Sequence, residues 1–77
     1  MTTRKLVALS ARNQLRGIVE AVRVEGLLAE VRLRVGDQVL TAVITSESAM
    51  DLGLERGEAA VAVIKSTEVM IAKEEGR

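Results

Sequence analysis

Branched aliphatic residues recur at alternate positions through much of this 77-residue chain, and this period of two is typical of β-strands. The pattern is clearest in Leu28–Val35, where aliphatic side chains alternate with Arg32 and Arg34. Gly36-Asp37 then marks a turn into a second run, Gln38–Thr45. Two such runs predict a β-hairpin with one buried face, and the fold has to be built around it.

The same pattern predicts further strands at residues 6–9, 14–24, 59–66 and 68–72. Gly17 interrupts the second of these, which indicates a bulge or a close approach of another backbone.

Residues 46–52 break the alternation and predict a helix of one or two turns. Ser46 or Ser48 is expected to cap its start, and Gly53 stands where a helix end favours a left-handed residue. Several strands with one short helix before the penultimate strand predict an all-β fold, a small OB-like Greek-key barrel. A simple sandwich is the competing architecture.

Composition removes most ordinary chemistry, because the chain has no His, Cys, Phe, Tyr or Trp. Disulfides, thiolate metal sites and histidine bases are therefore excluded. Lys plus Arg and Asp plus Glu both number 11, so no net charge attracts nucleic acid or an acidic membrane. We see neither a membrane-spanning run nor a secretory signal, and we expect a cytoplasmic protein.

Two predicted strands carry small or apolar residues on both faces, at positions 39–44 and 59–64. A chain of this length buries only about 60–65% of its unfolded surface, so it cannot cover both faces alone. Because disulfides are excluded, association with another copy is the remaining way to stabilise so small a scaffold.

Two short runs place a cation beside hydroxyl or amide donors with no carboxylate between them: Ser10, Arg12 and Asn13 near the start, and Lys65, Ser66 and Thr67 near the end. Thr45 and Ser48, at the start of the predicted helix, offer further hydroxyls. An oxyanion needs several inward donors and a positive charge that offsets its desolvation. Each residue also has an ordinary alternative role, as a cap, a turn residue or a surface charge.

The strings that contain these residues resemble the molbindins, the molybdenum-pterin-binding family whose domain is also called Mop or TOBE-like. They are Leu9-Ser10-Ala11-Arg12-Asn13-Gln14-Leu15-Arg16-Gly17, then Ala42-Val43-Ile44-Thr45 with Ser48, and Val63-Ile64-Lys65-Ser66-Thr67-Glu68-Val69-Met70-Ile71. The resemblance implies a domain at residues 6–73, an N-terminal extension at 1–5 and a C-terminal tail at 74–77.

The resemblance also implies a function. Molbindins are OB-like barrels that exchange strands, assemble as homohexamers (trimers of dimers), and bind molybdate or tungstate at subunit interfaces for storage. Carried over by position, the oxyanion pocket uses Ser10, Arg12, Asn13, Lys65, Ser66 and Thr67, with Thr45 and Ser48 from a neighbouring subunit. The cations at positions 12 and 65 are thus expected to meet across a contact between copies.

Since no aromatic residue is present to stack on a pterin, we expect the bare oxyanion as ligand and no organic cofactor. The family also has anion sites near its threefold axis. In this chain Leu27 and Leu28 stand at that point, and Leu28 is expected to be a core residue.

Other functions stay open at this point. A molybdate-sensing module that acts on a partner protein would share the pocket. A nucleic-acid-binding OB domain would need the aromatic platforms and basic groove that this sequence lacks. An enzyme would have to rely on Lys65 and Ser66 as a catalytic pair. These residues are adjacent in sequence, and adjacent residues on a strand point to opposite faces of the sheet.

Overall fold

The structure, a computed structural model, describes residues 10–76. In this part of the chain the strands are β1 (Asn13–Glu25), β2 (Leu28–Val35), β3 (Gln38–Thr45) and β4 (Ala59–Ile64). A helix, α1, spans Ser46–Leu52, and a 3-10 turn, η1, spans Ser66–Glu68. The extension predicted at residues 1–5 and the strand predicted at 6–9 lie outside the described residues.

The four strands form one antiparallel sheet in the order β3-β2-β1-β4. The long strand β1 pairs with β4 along its first half and with β2 along its second half. Residues of the two edge strands, β3 and β4, line the same cavity of about 570 Å³, so the sheet is curled. We call this cavity the edge groove. The prediction of an all-β fold with one short helix is confirmed.

The core lies on the inner face of the curled sheet. Val19, Val31 and Leu33 form its buried cluster, and Val19 is only 1% exposed. Arg32 and Arg34 are exposed on the other face, as the alternation in β2 predicts. The core is small because most inward side chains are valine or alanine, which bury little apolar surface each.

The helix α1 begins and ends as its residues dictate, although its cap differs from the prediction. Thr45 is the N-cap: its Oγ1 accepts the N–H of Ser48 at 3.0 Å and its hydroxyl donates to Ser48 Oγ at 2.8 Å. Ser46 instead donates to the carbonyl oxygen of Gly26 at 2.7 Å. At the other end Gly53 is left-handed, with φ 64°.

The two strands predicted near the end of the chain differ from the structure. The strand predicted at 59–66 ends at Ile64, and residues 68–72 form no strand. Val69, Met70 and Ile71 are apolar but have no adjacent strand to pair with in residues 10–76, so they stay exposed, Met70 at 93% and Ile71 at 89%. We call residues 69–71 the apolar tail.

The irregularity in β1 lies three residues beyond the predicted position. The register shifts between Val19 and Ala21, so Glu20 is the bulge, and it pairs with the guanidinium of Arg34. Gly17 marks the predicted close approach: a Cβ there would overlap the carbonyl oxygen of Arg34. The prediction for Leu28 as a core residue was wrong, because it lies on the outer face and is 53% exposed.

Gly17→Ala should lower the free energy of unfolding by about 1–3 kcal/mol, because the added methyl would force β1 and β2 apart. Urea unfolding at equal protein concentration measures this. Gly26→Asn is the control: its backbone is left-handed, but no atom lies within 4 Å of an added Cβ. Equal midpoints for the Gly17 variant and the wild type would show that the approach is not tight.

Thr45→Ala should lower stability by about 0.5–2 kcal/mol, because the first turn of α1 loses its side-chain acceptor. Thr45→Ser keeps the hydroxyl and should unfold close to the wild-type denaturant concentration. If the alanine and serine variants were equally stable, Thr45 would not be the effective cap.

Candidate functional site

The pairing of β1 with β4 brings the two ends of the chain together. The pairs run from Ile18↔Ala59 to Asn13↔Ile64, where both strands reach their ends. Arg12 precedes Asn13 and Lys65 follows Ile64, so both cations lie immediately beyond the last pair. The two sequence runs that carry the candidate donors therefore meet at one end of the sheet.

Asn13 and Ala11 fix the segment that carries Arg12. The Asn13 side-chain amide donates to the carbonyl oxygen of Ile64 at 3.2 Å, which ties the end of β1 to the end of β4. Ala11 is buried, whereas Arg12 and Lys65 are both exposed. The two cations thus project from a backbone that is anchored on both sides.

The charge balance at this point is unusual for a sheet. Among residues 10–76 the ion pair that forms is Arg34–Glu20, so neither Arg12 nor Lys65 has a carboxylate partner in that part of the chain. Like charges held near one another repel. An anion between the two side chains would reverse this repulsion.

The hydroxyl groups around the two cations have no hydrogen-bond partner in the part of the chain that the structure describes. Ser10, Ser66 and Thr67 are exposed, and their hydroxyls make no hydrogen bond to any residue in the range 10–76. Ser66 and Thr67 lie in η1, where the Glu68 N–H donates to the carbonyl oxygen of Lys65 at 2.9 Å. All three hydroxyls are therefore free to donate to a ligand.

Thr45 and Ser48 lie at the opposite end of the sheet. Thr45 pairs with Leu28, which pairs with Glu25, the last residue of β1, whereas Arg12 precedes its first residue. The Thr45 hydroxyl proton is already donated to Ser48 Oγ, so only the Ser48 proton of this pair remains available. Within one chain, these two residues do not join the group around Arg12.

The structure adds a contact to the predicted site. The meeting of Arg12 and Lys65 across a contact between copies stays a prediction; in a single chain both residues lie immediately beyond the last β1–β4 pair. The bond of Asn13 across the two strand ends was not predicted. An asparagine at the start of a predicted strand is a signal for such a bond, because its amide readily pairs with backbone groups.

Residues 10–76 contain neither a metal-binding cluster nor a membrane-spanning helix. No group of three or more acidic side chains in this range is placed to hold a metal ion. The same range contains no helix with the length and hydropathy needed to cross a membrane.

Comparisons with known proteins identify the family. Residues 9–71 match the TOBE domain. The molybdenum-pterin-binding protein 3 of Clostridium pasteurianum is 49% identical over 67 residues, which cover 84% of this chain and 97% of that protein.

Solved structures match as well. A molybdate-binding protein from Sporomusa ovata superimposes with a TM-score of 0.84 at 30% identity, covering 87% of this chain and all of that one. The cytoplasmic molybdate-binding protein ModG, in a form with molybdate bound, superimposes with a TM-score of 0.75 at 39% identity, covering 78% of this chain and 43% of ModG. The fold is therefore the OB-like fold expected, and the chain belongs to the TOBE-domain family of molybdenum-pterin-binding proteins, the molbindins.

Proposed function

We propose that this chain binds molybdate or tungstate as an oxyanion, for storage and homeostasis in the cytoplasm, and that it is a binding protein rather than an enzyme. The observation that carries the proposal is that Arg12 and Lys65 both lie immediately beyond the last β1–β4 pair, with no carboxylate partner among the described residues. The relatives add the identity of the ligand, because ModG has been solved with molybdate bound.

The donor set suits a dianion. Arg12 and Lys65 supply charge, and the free hydroxyls of Ser10, Ser66 and Thr67 supply neutral donors. A pocket made only of donors disfavours a ligand that still carries a proton, since that proton would face a donor without an acceptor. Molybdate and tungstate are fully deprotonated near neutral pH, whereas phosphate is partly protonated.

The second group of candidate residues has to come from another subunit. Thr45 and Ser48 lie at the far end of β1 from Arg12 in the same chain, and Ser48 keeps one hydroxyl proton to donate. In this proposal, Ser48 of a neighbouring copy completes the pocket of Arg12 and Lys65, and Thr45 orients it. The site is therefore half-formed in a single chain.

Exposed apolar surface supports self-association. Val43 on the outer face of β3 is 63% exposed, and Met70 and Ile71 in the apolar tail are exposed almost completely. The edge groove is lined by apolar side chains such as Leu40, Ile44 and Leu54. Each chain has one apolar tail and one edge groove. If copies exchange tails, every tail can occupy a groove and every groove can hold a tail.

We propose that the apolar tail of one copy fills the edge groove of another in the homohexamer expected for this family. In such an exchange the exposed side chains of the tail leave water, and each fully buried apolar side chain stabilises the contact by about 1.5–3 kcal/mol.

Arg12→Ala and Lys65→Ala should each weaken molybdate binding by about 10–100-fold, because each removes a charge-assisted hydrogen bond worth about 1.5–3 kcal/mol. Isothermal titration calorimetry measures this. Arg16→Ala is the matched control, since Arg16 is also an exposed arginine but lies within β1, opposite Val61. Wild-type affinity in both variants would remove the pocket assignment.

For the same two variants without ligand, we expect no loss of thermal stability. Relief of the like-charge repulsion should leave the unliganded protein as stable as the wild type or more stable, whereas loss of a structural ion pair would destabilise it. Thermal unfolding with and without molybdate distinguishes relief of charge repulsion from loss of a structural ion pair.

Met70→Asp should weaken subunit association by at least about tenfold, because placing a carboxylate in an apolar groove costs more than 1.4 kcal/mol. Met70→Leu keeps the apolar character and should assemble like the wild type. Because Met70 is exposed in the single chain, neither change should affect its fold. Equal sedimentation coefficients for the two variants across a dilution series would show that the tail is not at the interface.

A further inference from the structure

One three-residue turn connects the candidate oxyanion site to the apolar tail. Lys65, Ser66 and Thr67 are candidate ligands, and Val69 begins the tail immediately after η1 ends at Glu68. We propose that oxyanion binding and docking of the apolar tail are coupled through this turn, so that the ligand regulates assembly. The inference rests on the proposed function and adds a regulation to the same site.

The turn is weakly held without a ligand. Within residues 10–76, its backbone hydrogen bond joins the Glu68 N–H to the carbonyl oxygen of Lys65, and no side-chain hydrogen bond caps it. The hydroxyls of Ser66 and Thr67 make no bond to other residues in the range 10–76. A 3-10 turn of this length has poor hydrogen-bond geometry and little cooperativity to preserve it.

An oxyanion would order the turn from outside. If it accepts hydrogen bonds from the Lys65 ammonium and from the hydroxyls of Ser66 and Thr67, three consecutive residues acquire one common partner. The backbone at Val69 is extended, with φ −102° and ψ 128°, so the direction of the tail follows from the conformation of the turn before it. The bound ligand therefore reduces the conformational entropy that the tail must lose on docking.

The coupling has to be reciprocal. If molybdate favours the docked tail by some factor, docking of the tail on a second copy raises the affinity for molybdate by the same factor. Couplings of this kind typically amount to about 5–150-fold. Ligand release and tail release would then accompany one another.

Hydrogen exchange tests the coupling directly. Backbone exchange of residues 69–71 is followed by mass spectrometry in the assembled wild type, with and without saturating sodium molybdate. It is repeated on a variant with two glycines inserted between Glu68 and Val69. This variant keeps every candidate oxyanion-binding residue and the whole apolar tail, but it breaks the connection between them. The same insertion after Ala72, beyond the tail, is the matched control.

The proposal expects molybdate to slow exchange of residues 69–71 by about 5–150-fold in the wild type and in the control insertion. It expects no slowing in the variant interrupted after Glu68, although calorimetry still detects binding there and sedimentation still detects assembly. Equal slowing in both insertion variants, or none in a wild type that binds molybdate, would overturn the coupling and leave the proposed function standing. A wild type that fails to bind molybdate in calorimetry would overturn both.

Discussion

The antiparallel pairing of β1 with β4 is the interaction on which the rest of this structure depends. It joins Asn13, near the start of the described chain, to Ile64, and Arg12 and Lys65 lie immediately beyond this last pair. The Asn13 amide adds a bond to the Ile64 carbonyl at the same point. Two like charges held near one another repel, and a bound anion would relieve that repulsion. The proposed function follows from this local conflict.

The proposed assembly and the proposed ligand binding have a common origin in the small size of the chain. The buried core among the described residues consists of valine, leucine and alanine side chains, and much of the apolar surface remains exposed. A single copy also holds only half of the proposed pocket, because Ser48 lies at the far end of β1 from Arg12. A second copy would cover the exposed surface and complete the pocket at once. The turn between Lys65 and Val69 connects the proposed pocket to the apolar tail.

Local patterns in the sequence predicted local structure well. The bounds of β2 and β3 agree with the prediction because alternation, a two-residue turn and one buried face all favour the same register. The helix α1 was predicted because Gly53 supplies the left-handed residue that its end requires. Its cap was misassigned because Thr45, Ser46 and Ser48 all carry hydroxyls, and only the backbone conformation distinguishes them.

What the sequence could not show is the partner of each segment. The residues 68–72 have the composition of a strand, yet a strand also needs a neighbour, and none lies beside them in the described part of the chain. In the same way, nothing in the spacing of Arg12 and Lys65 reveals that the two residues lie at the same end of the sheet, because strand pairing is a property of the folded sheet. The resemblance to molbindins identified the candidate residues, and the geometry then showed which of them one chain brings together.

The most direct test of the account is diffraction from crystals grown with molybdate, using the anomalous signal of molybdenum to locate the bound ion. The account predicts an anomalous peak between the Arg12 guanidinium and the Lys65 ammonium of one chain, with Ser48 of a neighbouring copy in hydrogen-bond contact with the oxyanion. Peaks only at other positions, with Arg12 and Lys65 both facing solvent, would contradict it.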